Sequence, residues 1–397
     1  MERPISKYYS TVISQSQKSI NSIHSLIGIS SFQYQLICYY QQLCESDFVP
    51  HLNPKMNAWF FDSQRLGFHS ELVRDCIYAI STMHLENLDF YDQFKGKSAT
   101  LAPAASKFLT IHHRVFEPDQ IRGFHQSKKL HTLTVQYFLD CVKKTIHNVN
   151  NIKNGDVPSS GFQAIEMYIS SLIIFNLLLH HQTMFLSLVS NDPSQSNLLS
   201  VCMGMKHMLS LTILKFQQTS FGILFEEDMN STSNVSNLCN RITLTDHLTA
   251  YRLKLEEEGE ISPHDSFIYA DATTKLNNLL YNLIVLESSS LIWGWIFQIH
   301  DEFYILAKEK KEYFACKILF YYCSLRIIVT GKTSYQGNTW TDYCYWFKKY
   351  NLSYYGRWRD SEDESLFELV FQYKYEIKDL STFLAANELN FEELTLA

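Results

Sequence analysis

The chain has 397 residues, of which 46% are hydrophobic and 19% are charged, so it holds ample apolar material for a buried core. Its net charge is −7, and no basic segment of the kind that binds duplex DNA stands out. Glycine and proline are scarce, at 13 and 8 residues, which favours helices over a β fold with many turns. Composition therefore argues against a self-sufficient DNA-binding domain and against an all-β fold.

The nine cysteines are scattered along the chain, and no two of them form a C-x-x-C pair. This pattern predicts reduced thiols inside the cell. The opening sequence MERPISKYYSTVISQSQ lacks the apolar core of a signal peptide. Residues 167–179 fall short of the roughly 20 residues that a membrane-spanning helix needs, and residues 279–297 include Asn282 and Glu287. We therefore predict no membrane span.

Apolar residues recur every three or four positions along most of the chain, which is the period of a helix. Residues 1–30 are polar and rich in serine, and we expect them to be a flexible lead. Residues 255–263 are predicted to be a charged, mobile excursion. Helices are predicted at residues 32–48, 70–88, 98–116, 130–147, 162–188, 198–216, 270–288 and 358–385, besides those between 290 and 351.

These elements predict an all-α fold, a compact array of roughly ten or more antiparallel helices with no significant sheet. Residues 31–385 are assigned to one helical domain, and residues 386–397 to an acidic tail. Residues 162–188 are apolar on almost every side, which is typical of a helix at the centre of a bundle. Ser70 is expected to cap the helix that follows it, and His84 to be a hydrogen-bonded core histidine.

The most distinctive stretch runs from residue 290 to residue 351 and is rich in aromatic residues. It predicts a helix up to Leu306, a charged turn at residues 308–312, and a second helix with one apolar side that stops at Gly331. Thr339 is expected to cap a third helix.

Two parts of the sequence resemble the fungal-specific regulatory domain that follows the zinc-cluster module in many yeast transcription factors. The first is LVRDCIYAISTMHL at residues 72–85. The second combines a tryptophan-rich helix ending in DEF, the pattern A-x-x-I-L-F-Y-Y-C-x-L from Ala315, and W-x-x-Y-x-x-W from Trp340. The pattern is most similar to the sterol uptake control type, and the resemblance extends from about residue 32 to residue 351. It implies one compact helical domain.

The resemblance also implies an apolar pocket for a sterol or another lipid between the C-terminal helices. Its candidate walls are Trp293, Phe297, Phe303, Tyr321, Tyr322, Trp340 and Trp346. The alternative for these aromatic residues is plain core packing.

The zinc cluster of this family needs two C-x-x-C pairs, each with a further cysteine, and this sequence lacks them. The chain is therefore expected to act on DNA indirectly, or through a zinc cluster that is missing from this sequence. The adjacent histidines His112-His113 and His180-His181 point about 100° apart on a helix, which makes a poor chelate. We predict no metal site, no cofactor and no enzymatic activity, since the sequence shows no catalytic motif.

Two functions remain open. The first is a transcriptional regulator in the nucleus, with shuttling from the cytoplasm as a variant, that responds to an apolar ligand and contacts the transcription machinery or other regulators. The acidic tail is then an activation segment, or else a solvated helix end. The second is a helical scaffold that works by protein–protein contacts, for example at a centromere. Tyrosines and tryptophans between residues 340 and 358 suit a homodimer interface under either hypothesis.

Overall fold

The computed structural model describes residues 28–48, 63–95, 127–153, 161–181, 184–190, 192, 195–219, 243–286, 294–330 and 339–372. Of these residues 85% are helical, and no strand occurs among them, which confirms the predicted all-α class. The predicted lead up to residue 27, the helix at 98–116, the stop at Gly331 and the acidic tail lie outside the described residues.

The described residues form thirteen α-helices and one π-helical turn. In chain order they are α1 (Ser31–Phe48), α2 (Ser63–His69), α3 (Glu71–Lys95), α4 (Ser127–Lys153), α5 (Gly161–His180), α6 (Leu198–Gln217), α7 (Thr243–Glu257), α8 (Pro263–Leu286), α9 (Trp295–Gln298), α10 (Asp301–Ile305), the π turn (Leu306–Lys310), α11 (Tyr313–Thr330), α12 (Thr339–Tyr355) and α13 (Ser361–Gln372).

The apolar run predicts a helix up to residue 188, but helix α5 ends at His180. The buried His181 ring accepts a hydrogen bond from the Met184 amide at 3.1 Å, and the Leu186 amide bonds back to the Leu178 carbonyl at 2.9 Å. The Leu198 amide then bonds to the Ser187 carbonyl at 3.0 Å. The backbone groups that follow His180 therefore find hydrogen-bond partners outside a helix. Apolar periodicity alone does not reveal such partners.

The predicted mobile excursion is in fact a helical hairpin, made by α7 and α8. Gly259 supplies a left-handed turn with φ +70°, and Pro263 occupies the first position of α8, where its missing N–H costs nothing. The Ser262 hydroxyl accepts a hydrogen bond from the Asp265 amide at 3.0 Å and caps this helix.

Contacts divide the chain into two compact units, and α5 and α6 each contribute to both. Unit 1 comprises residues 1–177 and 211–226, and unit 2 comprises residues 178–210 and 227–397. Each unit is described by itself.

The core of unit 1 is built around α3, which packs against α1, α2 and α4. As predicted, Ser70 caps α3, because its hydroxyl accepts the Val73 amide at 3.1 Å. His84 lies 2.8 Å from the Tyr39 hydroxyl, and the Ser81 hydroxyl donates to the Leu36 carbonyl at 3.1 Å. The prediction of a hydrogen-bonded histidine is therefore confirmed, and these bonds fix α1 on α3.

The centre of unit 2 is α11, where every residue from 313 to 328 is buried. The apolar side that the sequence predicts for this helix is buried, and the burial extends to its remaining sides as well. Helices α8, α12 and α13 and the π turn all pack against α11, so it has no solvent-facing side.

The predicted continuous helix ending at Leu306 is broken at Ile299 and His300, whose ψ angles of 154° and 145° are extended. Side chains take up the backbone carbonyls that the break exposes. Lys206 donates to the Ile299 carbonyl at 2.7 Å, and Lys275 to the Gln298 carbonyl at 2.9 Å. Since these donors come from distant parts of unit 2, the break depends on tertiary contacts.

Two described helical stretches, Gly161–Leu179 and Leu198–Lys215, are long and apolar enough to cross a membrane by length and composition. In the first, 61% of the residues are buried, and in the second 28%. A buried core helix passes the same test, so these stretches are weak indicators, and the absence of a membrane span stays a prediction.

Two glycines should respond to alanine with opposite signs. Gly356 has φ +68° with open space around it, so alanine there strains the backbone by about 1–2 kcal/mol. Gly204 lies within α6, also in open space, so alanine there should stabilise by about 0.5–1 kcal/mol. Urea unfolding of Gly356→Ala and Gly204→Ala measures the two changes in stability. Two changes of the same sign would contradict the left-handed conformation of Gly356 or the helical conformation of Gly204.

Buried thiols should make the protein less stable at alkaline pH. Burial raises the pKa of Cys316 and of Cys344 from 9.0 to about 12, so both thiols stay protonated in the fold while the unfolded chain ionises. A raised pKa in the folded state means that this stability is present below pH 9 and is lost as pH rises towards 12. From about pH 8.5 to about pH 10.5 the loss should be about 2 kcal/mol for each thiol.

The measurement is the free energy of unfolding in urea across this pH range, for the natural chain and for Cys316→Ala/Cys344→Ala. The double variant should lose less stability as pH rises. An equal decline in both proteins would show that the two thiols do not cause it.

Candidate functional site: a buried lysine between two aspartates

The aromatic residues predicted to line a pocket occupy several places in unit 2. Trp293 lies outside the described residues. Phe303, Tyr321, Tyr322 and Trp340 are at most 1% exposed, whereas Phe297 and Trp346 are half-buried.

Part of this group meets around Trp295, a residue that the sequence analysis did not single out as a site residue. The Trp295 ring lies 4.5 Å from the Tyr322 ring and 6.1 Å from the Phe303 ring, and its N–H donates to the Ala272 carbonyl at 3.0 Å. Trp340 meets Tyr322 edge-on at 5.6 Å. These contacts are those of a packed core, while a ligand pocket at these residues stays a prediction.

Trp346 and Tyr321 lie apart from that group. Trp346 stacks along α12 between Tyr343 and Tyr350, with ring distances of 5.1 and 5.4 Å. Tyr321 lies 5.5 Å from the ammonium of Lys317 and so belongs to a charged cluster that the sequence analysis missed.

Lys317 belongs to the buried helix α11, and its charged ammonium is itself buried in unit 2. Its Nζ atom donates to Asp363 Oδ1 at 2.6 Å and to Asp360 Oδ2 at 2.5 Å. The Tyr313 hydroxyl donates to the other oxygen of Asp363 at 2.8 Å, and the Tyr251 ring lies 4.5 Å from Nζ. We call Lys317, Asp360, Asp363 and Tyr313 the lysine cluster.

The two carboxylates of the lysine cluster differ in burial and in pKa. Burial raises the pKa of Asp363 above 3.8, although Lys317 and Tyr313 act in the opposite direction. For Asp360, which is 18% exposed, burial also raises the pKa, but the hydrogen bond and charge of Lys317 outweigh it and bring it below 3.8. Two carboxylates share one ammonium here, so the more deeply buried one is the easier to protonate.

The loop between α12 and α13 carries a second cation beside the cluster. The Arg359 guanidinium lies 4.7 Å from the Tyr313 ring and pairs with Glu260 at 2.7 Å. Its backbone N–H donates to the Asn351 side chain at 3.0 Å. Trp358 of the same loop is buried, and α13 begins at Ser361 and not at Trp358 as predicted.

The lysine cluster joins α11 to the start of α13. Asp360 Oδ1 accepts the Glu362 amide at 3.0 Å and so caps α13, while Asp363 lies in its first turn, where a negative charge favours the helix dipole. Because the charges compensate one another inside the protein, this arrangement suits the positioning of helices better than acid–base chemistry on a substrate.

The sequence did contain a signal for this cluster. Lys317 and Arg326 are the two charged residues within the buried run 313–328, and a charge in such a helix needs a partner. Arg326 lies with its guanidinium 5.1 Å from the Trp340 ring, and burial lowers its pKa to about 10. The sequence analysis assigned no role to Asp360 or Asp363.

Comparison with family models, with curated proteins and with solved structures finds no match to this chain.

Removal of the Lys317 charge should destabilise the fold strongly. Lys317→Met leaves two aspartates facing each other without a cation, and losing one partner of a buried ion pair typically costs about 3–5 kcal/mol. Lys349→Met is the matched control, since Lys349 is an exposed lysine of α12 and should change stability by less than about 0.5 kcal/mol. Urea unfolding followed by circular dichroism measures both.

A triple variant, Lys317→Met/Asp360→Asn/Asp363→Asn, removes the charges together and should regain much of the loss. An equal, small effect for Lys317→Met and Lys349→Met would show that the cluster does not secure α13.

Proposed function

We propose that this chain is the helical regulatory domain of a transcriptional regulator of the fungal zinc-cluster type. One observation carries the proposal: residues of the two resembling stretches make contacts that hold their units together. In unit 1 these are the bonds of Ser81 and His84 to α1. In unit 2, the Tyr343 hydroxyl donates to the Cys316 carbonyl at 3.0 Å and joins α12 to α11.

The regulator acts in the nucleus by binding other molecules. The lysine cluster fits a structural role within such a domain, because its charged groups are paired with one another inside unit 2. A sterol or another lipid as the controlling ligand belongs to the same proposal and rests on the resemblance. Contact with DNA is then indirect, or is made through a zinc cluster outside this sequence.

A second candidate is a scaffold that works by protein–protein contacts, including contact with a second copy. It is favoured by large side chains exposed on α12, where Tyr345 is 53%, Leu352 45% and Tyr354 73% exposed. Of the tryptophans in the predicted interface range 340–358, Trp340 and Trp358 are buried and Trp346 is half-buried.

A reporter experiment separates the two candidates. The chain is fused to an unrelated DNA-binding domain in yeast, and transcription is measured with normal and with depleted sterol. We expect activation of several-fold over the DNA-binding domain alone, and a change in that activation when sterol is depleted. The variant Lys317→Met serves as the destabilised control and should lower the signal.

A silent reporter from a well-expressed fusion would contradict the regulatory function. The scaffold becomes the better candidate if, in addition, the chain retains a stoichiometric protein partner that Leu352→Ser/Tyr354→Ser loses. Activation that does not respond to sterol would remove the lipid ligand and leave the regulator.

A further inference from the structure

A cleft of about 310 Å³ opens on the surface of unit 2, between the start of α8 and the run formed by α10 and the π turn. Its floor is apolar and is made by Ile268, Ile305 and Leu306. Ile268 and Leu306 are core residues, at 1% and 3% exposure, whereas Ile305 is 38% exposed. The volume lies at the lower end of the range typical of small-molecule sites.

Charged groups of opposite sign stand at the rim of this cleft. Glu302 and Asp265 provide carboxylates near its α8 end, and His264 Nε2 lies 2.5 Å from Glu302 Oε2. Lys310, at the end of the π turn, provides an ammonium. Glu302 and Lys310 are eight residues apart on the run that α10 and the π turn form, which places them about two helical turns apart.

The carboxylates of Asp265 and Glu302 can accept further hydrogen bonds from a ligand. Asp265 accepts a hydrogen bond from the Ser262 hydroxyl at 2.8 Å through Oδ2, and Glu302 contacts His264 through Oε2. A carboxylate has about four lone-pair sites on its two oxygens, so one such contact leaves room for an incoming ammonium. The exposed Lys310 is placed to receive a carboxylate at the other end.

We propose that this cleft binds a small apolar zwitterion, with its ammonium at Glu302 and Asp265, its carboxylate at Lys310 and its side chains on the isoleucine and leucine floor. The two charged ends and the apolar floor together match an apolar amino acid or a short apolar peptide. The span between Glu302 and Lys310 favours the peptide, because its charged ends are farther apart than those of a free amino acid.

The test is calorimetric titration of the purified full chain with leucyl-leucine. At the binding efficiency per atom that is typical of drug-sized ligands, leucyl-leucine should bind with a Kd of about 0.2 mM. N-acetyl-leucyl-leucinamide has the same apolar groups without the two charges and should show no saturable binding. Titration with free leucine distinguishes the amino acid from the peptide as the ligand. Tighter binding of leucine indicates an amino-acid site, and tighter binding of the dipeptide indicates a peptide site.

Variants then locate the binding. Lys310→Gln and Glu302→Gln should each weaken leucyl-leucine at least fivefold. Glu309→Gln is the matched control, because Glu309 is an exposed neighbour in the π turn that does not line the cleft, and it should bind like the natural chain. Circular dichroism verifies that each variant is folded.

The proposal is overturned if the dipeptide gives no saturable heat up to about tenfold above the expected Kd, or if the capped dipeptide binds equally well. It is also overturned if Lys310→Gln and Glu309→Gln behave alike. Since binding is measured on the purified chain, a negative result here leaves the regulatory function to be decided separately by the reporter.

Discussion

The burial of the Lys317 ammonium is the constraint on which the architecture of unit 2 depends. An ammonium in a helix that is buried on every side is tolerated only with compensating charge, and Asp360 and Asp363 supply it at 2.5 and 2.6 Å. These aspartates stand at the start of α13, so pairing also fixes where that helix begins. The loop that leads to α13 is held in turn by the burial of Trp358 and by the contact of Arg359 with Tyr313.

The same reasoning explains the broken helix at Ile299 and His300. A break in a buried helix exposes carbonyl groups that need donors, and here the donors are Lys206, Lys275 and the Tyr304 hydroxyl. Lysine side chains thus stabilise unit 2 at two places, once as a buried cation and once as hydrogen-bond donors to the backbone. The cleft proposed as a binding site is lined by α10 and the π turn, which follow this break in the chain.

In unit 1, hydrogen bonds between neutral polar groups hold the helices in position. The bonds from Ser81 and His84 to α1 involve residues on or near the pattern that carries the family resemblance. They give that pattern a physical meaning, because each polar residue sits where two helices touch and needs a partner on the neighbour. Residues of the resembling pattern thus contribute to helix packing in unit 1. The function that the resemblance implies is for the proposed experiments to test.

The sequence by itself determined the all-α class, most helix positions and the cap at Ser70, since helical periodicity and local capping depend on near neighbours in the chain. Only the tertiary structure decided that α5 ends at His180, that a helix breaks at His300, and that Lys317 meets Asp360 and Asp363. The break at His300 and the pairing of Lys317 depend on hydrogen bonds and charges between residues tens of positions apart. The end of α5 depends on hydrogen bonds that the backbone makes beyond the helix. Periodicity carries no information about such partners, because it reports which face of a helix is buried and not what lies against it.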